Sequence, residues 1–166
     1  MNAPTLQRSW LSLTTAVLML GLLASGAAAG GVKTGVYGDV AIATGFSGDV
    51  AIRGYDPVAY FTDRKAVQGS EAYAYKWLGA NWYFSSEEHR RLFVASPISY
   101  APQYGGLCAE SMADRGGVVV NIDPESWQII DGRLYFSGEA HFQDRKLDIA
   151  AADANWPKAQ AKIEKK

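Results

Sequence analysis

Two stretches of alternating or continuous apolar residues, each broken by turn residues, organise the middle of the chain. In "EAYAYKWLGANWYFSS", Tyr73, Tyr75 and Trp77 occupy alternate positions and Trp82, Tyr83 and Phe84 follow Gly79 to Asn81. This pattern predicts a hairpin with Gly79 to Asn81 as the turn. In "DPESWQIIDGRLYFSG", Asp131 and Gly132 separate Trp127 to Ile130 from Arg133 to Phe136. An Asp-Gly pair between apolar runs predicts a second hairpin with a type I′ turn.

Helical spacing fills the intervals. Ser85 stands three residues before Glu88, which predicts a capping box opening a helix to about Ala95, with Pro97 as its stop. His89, Leu92 and Phe93 share one face of that helix, which places His89 at the core side. Leu107 to Asp114 reads as a short helix closed by Gly116 and Gly117, and Val118 to Val120 as a buried strand or extended segment. Helix is expected again from Glu139 to about Asp148 and from Ile149 to Asn155, stopped by Pro157. Asp56 and Pro57 mark a turn into the apolar run Val58 to Phe61. "GDVAI" occurs at Gly38 to Ile42 and again at Gly48 to Ile52, a ten-residue period that suggests two short strands. Strand pairs alternating with short helices define an α+β fold, small antiparallel hairpins packed with several short helices in a single domain.

The N-terminus reads as an export signal. Arg8 precedes an apolar run from Leu11 to Ala24, and the small residues Ser25 to Ala29 follow. The run is shorter than the roughly 20 residues of a spanning helix, so cleavage after Ala29 and no stable membrane insertion are expected. The chain then divides into a signal peptide (1–29), a β-rich or partly disordered segment (30–49), one domain (50–158) and a polar tail (159–166), in a periplasmic or secreted protein. A net charge of −1 leaves no basic footprint for nucleic acid.

One cysteine, Cys108, excludes a disulfide framework, so packing by Trp77, Trp82, Trp127, Trp156 and the other aromatics must hold the domain together. Cys108 follows the Gly105-Gly106 turn at the start of a helix, where unpaired N–H groups favour a thiolate. Its role can be a soft metal ligand, a redox thiol or core packing. His89 and His141 are the only histidines, and Met112 lies one helical turn after Cys108. These four could hold copper or another soft transition metal if they meet in space. Tyr104, Trp82 and Tyr83, with Tyr100 nearby, could instead line a pocket for a flat cofactor such as haem, although aromatic hairpins more often fill cores. HExxH, GxSxG, Walker and GxGxxG motifs are absent.

"GYDPVAYF" (54–61), "NWYFSSEEHRRLFVASPISYAPQYGGLCA" (81–109) and "ADANWPK" (152–158) resemble the signature blocks of the YHS domain family, specifically its larger exported bacterial branch of stand-alone proteins. The short YHS domains attached to metal-transporting ATPases carry "DPVCGM" and "YYFCSEGC", whose cysteines are thought to bind metal. Here Ala59, Ser85 and His89 stand at those three positions, so a thiolate site of that kind cannot form. Some members of the branch are selenoproteins with selenocysteine in the "GGxCA" block. The resemblance therefore implies a chemical role for Cys108, with a small ligand or metal ion as the expected partner and thiol redox chemistry as the alternative.

Overall fold

The computed structural model describes residues 49–118, 120–138, 140 and 142–163. The expected signal peptide, the first "GDVAI" copy, nearly all of the segment 30–49, His141 and the last three residues lie outside the described residues. The fold is α+β, with two separate two-stranded antiparallel sheets and short helices between and after them. In chain order the elements are α1 (Ala59–Thr62), β1 (Ser70–Trp77), β2 (Ala80–Phe84), α2 (Glu87–Ala95), α3 (Pro97–Tyr100), α4 (Ala109–Asp114), β3 (Asp123–Ile130), β4 (Arg133–Ser137) and α5 (Ile149–Ile163). No helix among the described residues is long and apolar enough to cross a membrane.

Both hairpins form. In the second, Ile130 pairs with Arg133 across Asp131 and Gly132, whose φ values of 49° and 73° suit the expected type I′ turn. In the first, Trp77 pairs with Ala80, so the turn is Leu78-Gly79 rather than Gly79 to Asn81. The exposed Leu78 takes φ 50° beside Gly79 at 81°, which frees Ala80 for full burial and Asn81 for a bond to Asp49. Along β1, half-buried Tyr73, Tyr75 and Trp77 alternate with exposed neighbours, and β2 buries Ala80, Trp82 and Phe84.

Several helix boundaries differ from the sequence reading, each for a local reason. Ser86, not Ser85, caps α2 by accepting the His89 N–H at 3.1 Å, because the Ser85 hydroxyl is engaged with Asp56. On α2 Phe93 is buried whereas Leu92 lies at the solvent side. Pro97 ends that helix and also opens α3, a position where its missing N–H costs nothing. Pro157 lies inside α5 instead of ending it. Ala152, Trp156 and Ala159 are buried on either side of it, and Asn155 donates to the Met112 and Ala113 carbonyls at the end of α4. That packing offsets the roughly 3 kcal/mol penalty of an interior proline. The helix also carries the chain through the first residues of the expected polar tail.

The helix expected from Glu139 to Asp148 is replaced by one short turn at Phe142–Asp144. Gln128 donates to the carbonyls of Phe142 and Arg145, which a continuous helix would have used itself. Val118 is exposed, Val120 is half-buried, and neither lies in a strand. The described part of the second "GDVAI" copy makes only an isolated bridge at Val50 before a left-handed turn at Ile52, Arg53 and Gly54.

Among the described residues the core has two clusters. One gathers Tyr60, Trp82, Phe84, Phe93, Cys108 and Phe136, and the other Tyr104, Leu107, Met112, Tyr135, Phe142 and Trp156. Tyr60 is fully buried and donates to the Pro124 carbonyl at 3.0 Å. Burial, reinforced by the negative charge of Glu125, pushes its hydroxyl far above the ordinary tyrosine value of 10.0. Burial and the Asp153 carboxylate do the same to Tyr104.

Above pH 10 these tyrosines ionise in the unfolded chain but not in the folded one. The unfolded state then binds fewer protons, and stability falls as pH rises. Each tyrosine should remove about 1.4 kcal/mol per pH unit between pH 10 and 12. Urea titrations across that range should show the loss, and Tyr60→Phe, although less stable at neutral pH, should lose less on going alkaline.

Candidate functional site

Two polar clusters penetrate the apolar interior. The first is built on Asp56, which has no exposed surface. Its Oδ1 accepts the Val58 and Ala59 N–H groups at 2.9 and 3.4 Å, just at the start of α1. Its Oδ2 accepts the Ser85 N–H at 2.8 Å, the Ser85 hydroxyl at 2.7 Å and His89 Nδ1 at 2.7 Å. One carboxylate thus ties together the first helical turn, the end of β2 and the first turn of α2. The opposite nitrogen of the imidazole, Nε2, lies 3.4 Å from Thr62 Oγ1 and 3.9 Å from Asp63 Oδ1.

Cys108 anchors the second cluster. It is 1% exposed, caps α4 with extended backbone, and is preceded by left-handed Tyr104, Gly105 and Gly106 with φ of 53°, 63° and 78°. Such a run suits glycine at two of its three positions. The sulfur receives the Gly138 N–H at 3.5 Å and lies 3.7 Å from Ser137 Oγ. The Ser137 hydroxyl donates to Glu110 Oε2, and the other Glu110 oxygen meets Arg145 at 3.0 Å. Because Ser137 uses its single proton on Glu110, the thiol can donate its own to Ser137 Oγ. Glu110 and Arg145 line a surface pocket of about 200 Å3 together with Ser111, Asp114 and Arg115. A polar line therefore runs from the buried sulfur through Ser137 and Glu110 to that pocket.

The residues nominated by the sequence lie in several places. His89 belongs to the Asp56 cluster, and Cys108 to the Ser137 cluster, with no partner in common among their hydrogen bonds. Met112 is fully buried in the second apolar cluster beside residues such as Tyr104 and Leu107. His141 lies outside the described residues. Trp82 packs against Phe93 with ring centroids 4.9 Å apart, Tyr83 lies on the opposite face of β2, and Tyr104 bonds Asp153 at 3.0 Å and packs on Trp156. Trp82 and Tyr104 thus belong to different apolar clusters. Among the described residues, no group of three or more His, Cys, Asp or Glu side chains is arranged to hold a metal ion.

Asp56, Ser137 and Glu110 are the functional candidates that sequence reasoning missed. Asp56 has a local signal in "DPV", a turn that needs an acceptor. Ser137 and Glu110 have none, since their link spans 27 residues.

Fold and sites together define a small α+β domain with a buried thiol and a buried aspartate paired to a half-buried histidine. No family model, no curated protein and no solved structure matches the chain.

Proposed function

We propose that the protein is an exported thiol module of YHS type in which Cys108 reacts with a small hydroperoxide. The observation that carries this reading is the proton path from Cys108 through Ser137 to Glu110. A thiolate formed along it is stabilised by the Gly138 N–H. The thiolate attacks the terminal oxygen of the hydroperoxide, the O–O bond breaks, and the departing alkoxide takes the proton held by Glu110. The products are a cysteine sulfenic acid and an alcohol, or water when the oxidant is hydrogen peroxide. With no second cysteine in the chain, an external thiol condenses with the sulfenic acid and releases water. Burial of the sulfur favours an oxidant the size of peroxide over a bulky disulfide.

The YHS reading has support from the placement of its blocks. Asp56 in "GYDPVAYF" bonds Ser85 and His89 in "NWYFSSEEHRR", and Tyr104 bonds Asp153 in "ADANWPK". A soft metal held by Cys108 with His89 and Met112 has less support, because the sulfur's polar neighbours are Ser137 and Gly138.

Native protein treated with hydrogen peroxide should yield a dimedone adduct on Cys108, detected by mass spectrometry and absent in Cys108→Ala. Glu110→Gln should slow its formation about tenfold or more. A thiol that reacts only after denaturation would make Cys108 a packing residue. Metal retained by the purified protein and lost in Cys108→Ala would restore the soft-metal reading.

A further inference from the structure

We propose that His89 Nε2, Asp63 and Thr62 form an open site for a divalent first-row cation of borderline softness, such as Zn2+ or Cu2+, independent of Cys108. Asp56 fixes the imidazole. An ionised carboxylate only accepts, and its Oδ2 lies 2.7 Å from Nδ1, so Nδ1 carries the proton and the Nε2 lone pair points away from Asp56. A carboxylate on the far nitrogen is the usual outer partner of a metal-binding histidine, where it fixes the tautomer and strengthens the nitrogen as a donor.

Oxygen ligands lie on the free side of the ring. Thr62 Oγ1 is 3.4 Å from Nε2, and Asp63 Oδ1 is 3.9 Å from it. Two ligands on one tetrahedral zinc ion stand roughly 3.4 Å apart. A small rotation of Asp63, whose side chain is 36% exposed, closes the difference. Thr62 Oγ1 lies 2.8 Å from Asp63 Oδ1 and 3.2 Å from the Val58 carbonyl, so when an ion enters the Thr62 proton turns to Val58 and the two ligand oxygens part to roughly 3.4 Å. The His89 side chain retains 13% exposure, which admits the ion and leaves water to complete its coordination.

Nitrogen and oxygen donors select the cation class. Imidazole with carboxylate and hydroxyl suits Zn2+ or Cu2+ and gives no advantage to Cu(I), which prefers sulfur. The two carboxylates near the ring, Asp56 and Asp63, balance the charge of a divalent ion.

Titration of the full chain with Zn2+ alone, in competition with a chromophoric chelator, should show one equivalent bound. Asp63→Asn changes an exposed side chain and should weaken binding at least tenfold. His89→Asn keeps an N–H where Nδ1 meets Asp56 but has no counterpart of Nε2, and it should weaken binding by at least as much. Cys108→Ala should bind as the wild type does, which separates this site from the peroxide chemistry above. With Cu2+, electron paramagnetic resonance should show coupling to one imidazole nitrogen that disappears in His89→Asn. The proposal is overturned if the wild type binds no stoichiometric Zn2+, if Asp63→Asn binds it unchanged, if binding is lost in Cys108→Ala, or if Cu2+ shows no imidazole nitrogen.

Discussion

Asp56→Ala should destabilise the domain by about 3–5 kcal/mol, the cost of removing one partner from a buried charged network. The wild-type carboxylate accepts from two N–H groups at the start of α1 and from Ser85 and His89 on the other side. Alanine removes the acceptor shared by all of these donors, and although Ser85 Oγ and His89 Nδ1, 3.2 Å apart, can still meet each other, the N–H groups of Val58, Ala59 and Ser85 are left without it. Each buried unsatisfied group costs about 1–3 kcal/mol, although the losses do not simply add. A single domain is stable by only about 5–15 kcal/mol, so the variant should lose a large share of its stability at 25 °C. Asp56→Asn should lose less, since one oxygen remains, yet its amide nitrogen must face donors on one side. Urea denaturation with an unchanged slope would measure both. A loss below about 1 kcal/mol for alanine would mean that the donors find other partners.

Phe93→Ala should cost a similar amount, about 3–5 kcal/mol, through a different mechanism. Phe93 has no exposed surface and lies at the centre of an aromatic group. Its ring centroid is 4.9 Å from Trp82, 5.2 Å from Phe84, 5.5 Å from Trp77 and 6.4 Å from Tyr75. Truncation removes the transfer energy of the ring and leaves a cavity that rigid indole and phenyl neighbours cannot close. The two tryptophans also lose a common contact, so their near-ultraviolet circular dichroism and emission should change along with the urea midpoint. Phe93→Leu refills much of the space and should retain more of both. Equal stability in the alanine variant would show that β1 and β2 collapse onto α2 without this ring.

What the sequence revealed about the fold was what adjacent residues decide. Asp131 and Gly132 specify a turn by their own conformational preferences, and the alternation of Tyr73, Tyr75 and Trp77 specifies a strand face. Decisions taken by distant residues were not visible. Ser85 and Ser86 are equally able to cap a helix, and the choice between them is made by Asp56, 29 residues from Ser85. Pro157 should have ended a helix on local grounds, and the packing of Ala152, Trp156 and Ala159 carries the helix past it.

The candidate sites divide in the same way. Cys108 stood out because it is single and follows two glycines, and His89 because histidines are few. Their partners did not, since Ser137 approaches Cys108 from 29 residues away and Asp56 reaches His89 from 33. A spacing rule within one helix also paired Cys108 with Met112, whereas the side chains belong to different apolar clusters.

Strand β4 has a burial pattern unlike that of β1. Leu134 and Phe136 belong to one apolar cluster, and Tyr135 between them belongs to the other. Both faces of this short strand are thus interior, and each cluster uses it as a wall. Opening either half uncovers one face of the same strand, which couples the two halves. The two clusters should therefore unfold together, and amide protons in β4 should be among the slowest of the domain to exchange.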